Sequence, residues 1–115
     1  MIYAALVTAV LDGDTFNAKV EVWPNVQVTT AVRLAGVDTP ELKGQCAAER
    51  TAAKAAQRRL AELLVGQIHL SRVKPDKYAG RVDAVVTVDG KVIGEILVAE
   101  GHARVYTGGA RGGWC

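Results

Sequence analysis

The sequence predicts a small α+β domain in which β-strands predominate. Segments rich in apolar and β-branched residues fill the N-terminal part of the chain, and one alanine-rich stretch with helical spacing interrupts this series. The chain has 115 residues, half of them hydrophobic, which is enough for one core and too few for two. We therefore expect a single domain over residues 1–115.

The N-terminal part predicts an antiparallel meander of three strands. Apolar and β-branched residues dominate Ile2–Leu11, Thr15–Val22 and Val26–Leu34. Asp-Gly and Pro-Asn pairs separate these segments, and such pairs are typical of tight turns.

One long helix is predicted over Ala47–Val65, where the composition changes to alanine, leucine, glutamate and arginine. Its apolar residues recur at helical spacing, at Ala48, Ala52, Ala56, Leu60 and Leu64. Small alanines in the N-terminal half of this helix would let it pack closely on a sheet.

The remaining chain predicts two more strands and a short helix. The strands are Gln67–Lys74 and Val82–Val88, and the pair Asp89-Gly90 is typical of a tight turn. A short helix follows at about Ile93–Glu100, and His102–Tyr106 adds a last extended piece. Five strands with one long helix between the third and the fourth fit an OB-fold barrel, whose groove suits oligonucleotides.

The C-terminal segment, about residues 107–115, is rich in glycine and is predicted to be mobile unless a disulfide holds it. Cys46 and Cys115 are the only cysteines, too few for a structural zinc site by themselves. A disulfide between them would stabilise the fold by roughly 4 kcal/mol. Two unrelated thiols are the alternative. The disulfide would indicate a secreted or periplasmic protein, and free thiols a cytoplasmic one.

The overall composition excludes several classes of protein. The formal net charge is only +2, so attraction to nucleic acid would have to come from local placement of lysine and arginine. No apolar run reaches the length of a membrane span, and we expect no membrane association. No charged region with a cleavage site follows Met1, so no secretory signal is visible in this chain.

Three charged segments indicate the chemistry of the protein. They are Asp12-Gly13-Asp14-Thr15, the stretch Arg33–Glu41, and Asp76–Arg81. Carboxylate oxygens suit a divalent cation such as calcium, and guanidinium groups suit phosphate oxygens. A glutamate between them could accept a proton from water. Together these groups indicate phosphodiester hydrolysis.

The same segments resemble the signature of the thermonuclease family, the staphylococcal-nuclease-like domains. The matching stretches are V-L-D-G-D-T-F, R-L-A-G-V-D-T-P-E and D-K-Y-A-G-R, in this order, and the resemblance runs from about Val10 to about Tyr106. It implies the OB-fold barrel and a calcium-dependent nuclease that cleaves DNA and RNA, preferably single-stranded, with little sequence specificity. It also implies 3′-phosphate products, and we expect a monomer.

The resemblance assigns the metal ligands. Asp14 and Asp38 match carboxylate ligands of calcium, and Thr39 offers its backbone carbonyl. Asp12 matches a nearby acid that acts through a metal-bound water. Without the resemblance, both acidic stretches could equally be ordinary turns.

The resemblance also assigns the catalytic side chains. Arg33 and Arg81 match the arginines that hold the scissile phosphate, and Glu41 matches the general base for the attacking water. Alternatively, Arg33 could extend along the barrel edge to reach solvent, and Arg81 and Glu41 could be solvated loop residues.

Substrate contacts are implied for Lys77 and Tyr78, and for Tyr106 as a base-stacking residue. The family pattern in this loop reads aspartate-lysine-tyrosine-glycine-arginine, whereas this chain carries an additional Ala79. The insertion moves Arg81 by one residue relative to Tyr78, so the loop must bulge to keep the geometry, and Gly80 allows this. A non-catalytic module on the same barrel, binding nucleic acid or protein, is the alternative function.

Overall fold

The computed structural model describes all 115 residues and contains eight strands and two helices. Five strands are long and three have only two residues each. The elements are β1 (Ile2–Val10), β2 (Thr15–Trp23), β3 (Val26–Leu34), β4 (Val37–Asp38), α1 (Ala47–Leu63), β5 (Ile68–Pro75), β6 (Arg81–Val88), β7 (Lys91–Val92), α2 (Ile93–Ala99) and β8 (Arg104–Val105).

The five long strands form a closed barrel. The hydrogen-bonded order is β3-β2-β1-β5-β6, all antiparallel, and a parallel pairing of β3 with β6 closes the sheet. Helix α1 connects the third long strand to the fourth, and α2 follows the fifth. This arrangement confirms the predicted OB-fold barrel with one long and one short helix.

Most predicted element boundaries agree with the structure to within two residues. Helix α1 ends at Leu63, two residues earlier than predicted, and α2 ends at Ala99, one residue earlier. The turn at Asp89-Gly90 has φ values of 51° and 82°, the left-handed pair that a tight two-residue hairpin turn requires.

The last predicted extended piece is shorter than expected. Only Arg104 and Val105 pair, with Asp38 and Val37 respectively, to form a small second sheet of β4 and β8. A two-residue strand has no periodic pattern, so β4 could not be recognised from the sequence.

The core fills the barrel and the space beneath both helices. The largest fully buried side chains include Phe16, Leu34, Leu60, Leu70, Ile93 and Leu97. The buried face of α1 is formed by Glu49, Ala53, Ala56 and Leu60. Of the predicted apolar positions, Ala56, Leu60 and Leu64 are buried, but Ala48 is exposed and Ala53 is buried in place of Ala52. Neither helix has the combination of length and apolar character needed to cross a membrane.

The C-terminal segment is tied to the start of α1. A disulfide joins Cys46 to Cys115, whose Cα atoms are 6.0 Å apart, and the guanidinium of Arg104 lies 3.6 Å from the ring centre of Trp114. The disulfide encloses a loop with a sequence separation of 69 residues. Closing a loop of this length stabilises a fold by roughly 4 kcal/mol.

Candidate active site

A polar cleft with a volume of about 460 Å³ gathers most of the charged residues singled out above. Its lining consists of Asp12, Asp14, Thr15, Arg33, Glu41, Asp76, Lys77, Tyr78, Arg81, Asp83, Tyr106 and Arg111. Asp38 and Thr39 are buried rather than in the lining, and Arg111 contacts both. A second groove of about 320 Å³, between β6 and α2, is lined almost entirely by apolar residues and holds none of these groups.

The first acidic turn lies between β1 and β2. The amide of Asp14 donates to Asp12 Oδ1 at 3.0 Å, so Asp12 shapes the turn in the manner of an Asx-turn. The hydroxyl of Thr15 donates to Asp14 Oδ1 at 3.0 Å, and the backbone carbonyl of Asp14 accepts from the amide of Leu34 at 2.8 Å. Asp14 is thereby fixed at the start of β2, next to the end of β3.

Gly13 holds this turn against the neighbouring loop and α1. A Cβ atom at Gly13 would lie 2.7 Å from the Cβ of Ala56 and 3.0 Å from Oγ1 of Thr39. Only a residue without a side chain fits at such distances. The turn can lie directly on Thr39 because position 13 is a glycine and position 56 is an alanine.

We expect Gly13→Ala to destabilise the fold by about 1–3 kcal/mol, because an added methyl group must push the turn away from α1. Equilibrium denaturation in urea measures the free energy of unfolding. Gly113→Ala is the matched control, since a Cβ there meets no atom within 4 Å. Equal stability of both variants would contradict the close packing of the turn.

The carboxyl group of Asp14 is strongly perturbed. Its pKa is raised from 3.8 to about 6, first by burial and then by a hydrogen bond with Asp12 and repulsion from it, while Arg33 and Thr15 oppose the rise. The nearest positive charge is Arg33 Nη2, 3.7 Å from Asp14 Oδ2. A buried carboxylate that is incompletely neutralised is a favourable position for a cation.

Asp38 and Thr39 lie in and just after β4. The side chain of Asp38 is almost fully buried, and its Oδ2 accepts from Trp114 Nε1 at 3.3 Å. Its Oδ1 has no hydrogen bond of regular geometry but forms an ion pair with Arg111. The backbone carbonyl of Thr39 accepts from Arg111 Nη2 at 3.3 Å.

Arg33 is held rigidly at the end of β3. Its Nη2 donates to the carbonyl of Val37 at 2.9 Å, and its Nη1 donates to the carbonyl of Leu34 at 3.2 Å. In the barrel register Arg33 pairs with Thr15 on β2 and with Asp83 on β6. The side chain therefore lines the cleft and does not extend along the barrel edge to solvent.

The loop that contains Ala79 also brings Arg81 to the cleft. Gly80 has φ of +79°, and its carbonyl accepts from the amide of Ala31 at 3.2 Å, which fastens the loop to β3. Arg81 is the first residue of β6, and its Nε donates to Asp76 Oδ2 at 2.9 Å. Gly80 has the left-handed conformation that a bulged loop requires, and Arg81 and Arg33 line one cleft.

The predicted substrate contacts surround this loop. The guanidinium of Arg81 and the ammonium of Lys77 lie 4.9 Å and 5.3 Å from the ring centre of Tyr78, which is more than half exposed. Tyr106 also lines the cleft, and its hydroxyl donates to the carbonyl of Gly109 at 2.7 Å.

Sequence reasoning missed three charged residues of this region. Glu49 is buried and accepts from the amides of Glu41 and Gln45, both at 3.1 Å, so it holds the loop that carries Glu41. The spacing of Cys46 and Glu49 is that of a helix capping box, with cysteine as the first residue, and could have marked Glu49 as part of the helix start, although not its bond to Glu41.

Asp83 is the second missed residue. It lies two positions after Arg81 on β6, and residues at this spacing share one face of a strand. Burial raises the pKa of Asp83, and a hydrogen bond with Asp76 and repulsion from it add to this. Burial also raises the pKa of Asp76, but hydrogen bonds from Asp83, the Tyr78 amide and Arg81 lower it to about 2. The two acids therefore shift each other's pKa in opposite directions beside Arg81.

Arg111 is the third missed residue. Besides its contacts with Asp38 and Thr39, its Nη1 lies 2.7 Å from Oε1 of Glu41. Nothing in the glycine-rich segment around it indicates such a position from the sequence.

The oxygens that the sequence assigns to a divalent cation come from only three residues. The chain has no group of three or more histidine, cysteine, aspartate and glutamate side chains arranged to hold a metal ion. The available oxygens are those of Asp14, Asp38 and the Thr39 carbonyl. Asp38 Oδ1 is buried with no regular hydrogen bond, and the guanidinium of Arg111 already lies against it. This is the environment in which a cation is stabilised, and calcium accepts water for its remaining ligands.

Comparison with known proteins places these features in a family. No curated protein matches the chain. A family model, described as staphylococcal nuclease homologue, matches residues 31–111. The matched region includes Arg33, Glu41, Arg81 and Arg111, whereas Asp14 precedes it and is brought to the cleft by the fold. The match covers most of the chain and the barrel has the expected topology, and the chain thus belongs to the staphylococcal nuclease homologue family.

Proposed function

We propose that this protein is a calcium-dependent nuclease that hydrolyses phosphodiester bonds of DNA and RNA with little sequence preference. The observation that carries the proposal is the convergence of Arg33, Arg81 and Glu41 with the acidic turn at Asp14 in one polar cleft. Family membership supports the same reaction class.

The two arginines supply the phosphate site. Nucleophilic attack on a phosphodiester places negative charge on the equatorial oxygens, and preorganised guanidinium groups stabilise that charge. Arg33 is fixed by two backbone carbonyls, and Arg81 by Asp76 through Nε, which leaves its two terminal amino groups for a phosphate. Both side chains are half-buried, so little reorientation is required on binding.

Asp14, Asp38 and the carbonyl of Thr39 would hold calcium. When bound, calcium would polarise the phosphate and favour a nucleophilic water. Asp12 supports this arrangement by shaping the turn and by offering an oxygen to a bound water. Because the protein supplies few ligands, we expect weak calcium binding that strengthens when a substrate phosphate joins the site.

Glu41 would accept the proton of the attacking water. Its side chain is 51% exposed at the cleft, so water reaches it, and its backbone is held by Glu49. Departure of the 5′ oxygen would leave a 3′-phosphate product, as in the family that the sequence resembles. Lys77, Tyr78 and Tyr106 would contact the flanking phosphates and bases, which favours single strands because their bases are free to stack.

A non-catalytic binding module is the second candidate. One observation favours it. Arg111 forms ion pairs with both Asp38 and Glu41, so a carboxylate of the proposed metal site and the proposed base are already bound to a side chain of the protein. A module of this kind would bind single-stranded DNA equally well with and without calcium, and would release no fragments.

Incubation with labelled single-stranded DNA tests the proposal. We expect cleavage in calcium, none in excess chelator, and poor activity in magnesium, which prefers a stricter octahedral geometry and retains its waters. A variant carrying Arg33→Ala and Arg81→Ala, purified identically, controls for contaminating nucleases and should be inactive. Undiminished cleavage in chelator would refute the metal assignment, and binding without cleavage would favour the second candidate.

A further inference from the structure

The C-terminal segment, residues 107–115, places a positive charge on the oxygens of the candidate metal site. We infer that Arg111 competes with calcium for Asp38 and Thr39, and that the Cys46–Cys115 disulfide sets the strength of this competition. The inference rests on the proposed function, because it concerns the same metal site.

Arg111 contacts three acceptors that the proposed reaction needs. It forms an ion pair with Asp38 Oδ1, donates to the Thr39 carbonyl at 3.3 Å, and its Nη1 lies 2.7 Å from Glu41 Oε1. A guanidinium is charged at every ordinary pH. A guanidinium and a calcium ion cannot occupy the same oxygens, so each must weaken the binding of the other.

Few anchors keep Arg111 in this position. The segment around it is exposed and contains Gly108, Gly109, Gly112 and Gly113. Four residues after Arg111, the disulfide fastens Cys115 to the first residue before α1. The other anchors are Trp114, which donates to Asp38 Oδ2 at 3.3 Å and stacks on Arg104, and the Tyr106 hydroxyl, which donates to the carbonyl of Gly109 at 2.7 Å.

The disulfide therefore acts as a tether. A glycine-rich segment that is fixed at both ends keeps its side chains at a high effective concentration near the site. When the disulfide is reduced, ordering the segment costs conformational entropy that only the noncovalent contacts of the segment can offset. The guanidinium would then leave the oxygens of Asp38 and Thr39 more often, and calcium would bind more tightly.

Reduction of the disulfide is an ordinary thiol–disulfide exchange. A dithiol attacks one sulfur of the Cys46–Cys115 bond, and the resulting mixed disulfide is resolved by the second thiol of the reductant. The protein gains two electrons and two protons as two thiols, and the dithiol becomes a disulfide.

Calcium titration by calorimetry tests the inference without relying on cleavage. The proteins are the oxidised wild type, the wild type reduced with dithiothreitol, Arg111→Ala, the double variant Cys46→Ser/Cys115→Ser, and the triple combination. Serine at position 46 retains a side-chain acceptor for the start of α1, since Cys46 Sγ accepts from the amide of Glu49. Arg58→Ala, which removes an exposed arginine of α1, is the matched control for net charge.

We expect Arg111→Ala to bind calcium about five- to tenfold more tightly than the oxidised wild type, the range for losing a partly exposed ion pair and its accompanying contacts. Reduction and the double variant should tighten binding in the same direction, and Arg58→Ala should leave it unchanged. Arg111→Ala should increase the calcium affinity less in the background of the two cysteine substitutions than in the wild type, because the disulfide acts through Arg111.

Equal calcium affinity of the oxidised wild type and Arg111→Ala would overturn the inference, and so would an unchanged affinity after loss of the disulfide. If affinities are equal but cleavage occurs in calcium, only the inference is wrong and the nuclease function stands. If the affinities change as expected but no variant cleaves DNA, the inference holds and the nuclease function is wrong. Absence of calcium binding in every variant would overturn both.

Discussion

Arg81→Lys is expected to fold normally and to lose turnover by a factor of the order of 10²–10³, or roughly 3–4 kcal/mol of transition-state stabilisation. Arg81 presents a planar group with two free terminal amino groups to the cleft, while Nε is bound to Asp76. Lysine retains the charge but cannot form two parallel hydrogen bonds to a phosphate. Steady-state cleavage of single-stranded DNA in saturating calcium measures kcat.

Arg58→Lys is the control for this prediction. Arg58 is exposed on α1, away from the cleft, and the same substitution there should leave kcat unchanged. Equal activity of both variants would mean that the loop with Ala79 does not deliver Arg81 to the phosphate. Lys77, which lines the same cleft, would then be the nearest candidate for the second positive charge.

Asp14→Asn is expected to stabilise the calcium-free protein while weakening calcium binding by about 100-fold, because a charged ligand is lost. In the folded state burial raises the pKa of Asp14 to about 6. At 1.36 kcal/mol per pH unit, ionising this group in the fold costs up to about 3 kcal/mol at neutral pH, and asparagine avoids that cost. Thermal unfolding with chelator should then show Tm higher by about 10 °C.

The pH dependence follows from the same pKa. Below about pH 4 the carboxyl is protonated in both folded and unfolded chains, so the substitution should have little effect. Between about pH 4 and 6 the unfolded chain ionises first, so the wild type loses stability relative to Asp14→Asn as the pH rises, and above 6 the difference stays constant. Asp89→Asn, at an exposed turn, removes the same formal charge and is the control for the substitution. A wild type that is more stable than Asp14→Asn at pH 7 without calcium would contradict the prediction.

The barrel strands and helices could be predicted because each has a regular apolar pattern over at least seven residues. The residues of the candidate site were harder to predict from the sequence. Asp12-Gly13-Asp14 and Asp89-Gly90 look alike in the sequence, and only packing distinguishes them. Gly13 lies against Thr39 and Ala56, whereas a Cβ at Gly90 would meet nothing.

The three missed residues differ in how far the sequence could have revealed them. Asp83 shares a strand face with Arg81, so strand periodicity would have found it, and the capping-box spacing of Glu49 would have marked it at the start of α1. Arg111 is different, because it reaches the Thr39 carbonyl across a sequence separation of 72 residues. No local pattern encodes such a contact. It exists because the disulfide and β8 bring the end of the chain back to the start of α1.

The parallel pairing of β3 with β6 has a consequence for the order in which the protein folds. Thr30 and Gly80, which are hydrogen-bonded at this junction, are 50 residues apart in the sequence, whereas the β1–β2 and β2–β3 hairpins join neighbouring segments. Contacts between distant segments cost more loop-closure entropy and form later than local ones. Arg33 and Arg81 come from the two strands of this junction, so the phosphate site is completed only when the barrel closes. An opening of the barrel at the same junction would separate the two arginines while the hairpins remained paired.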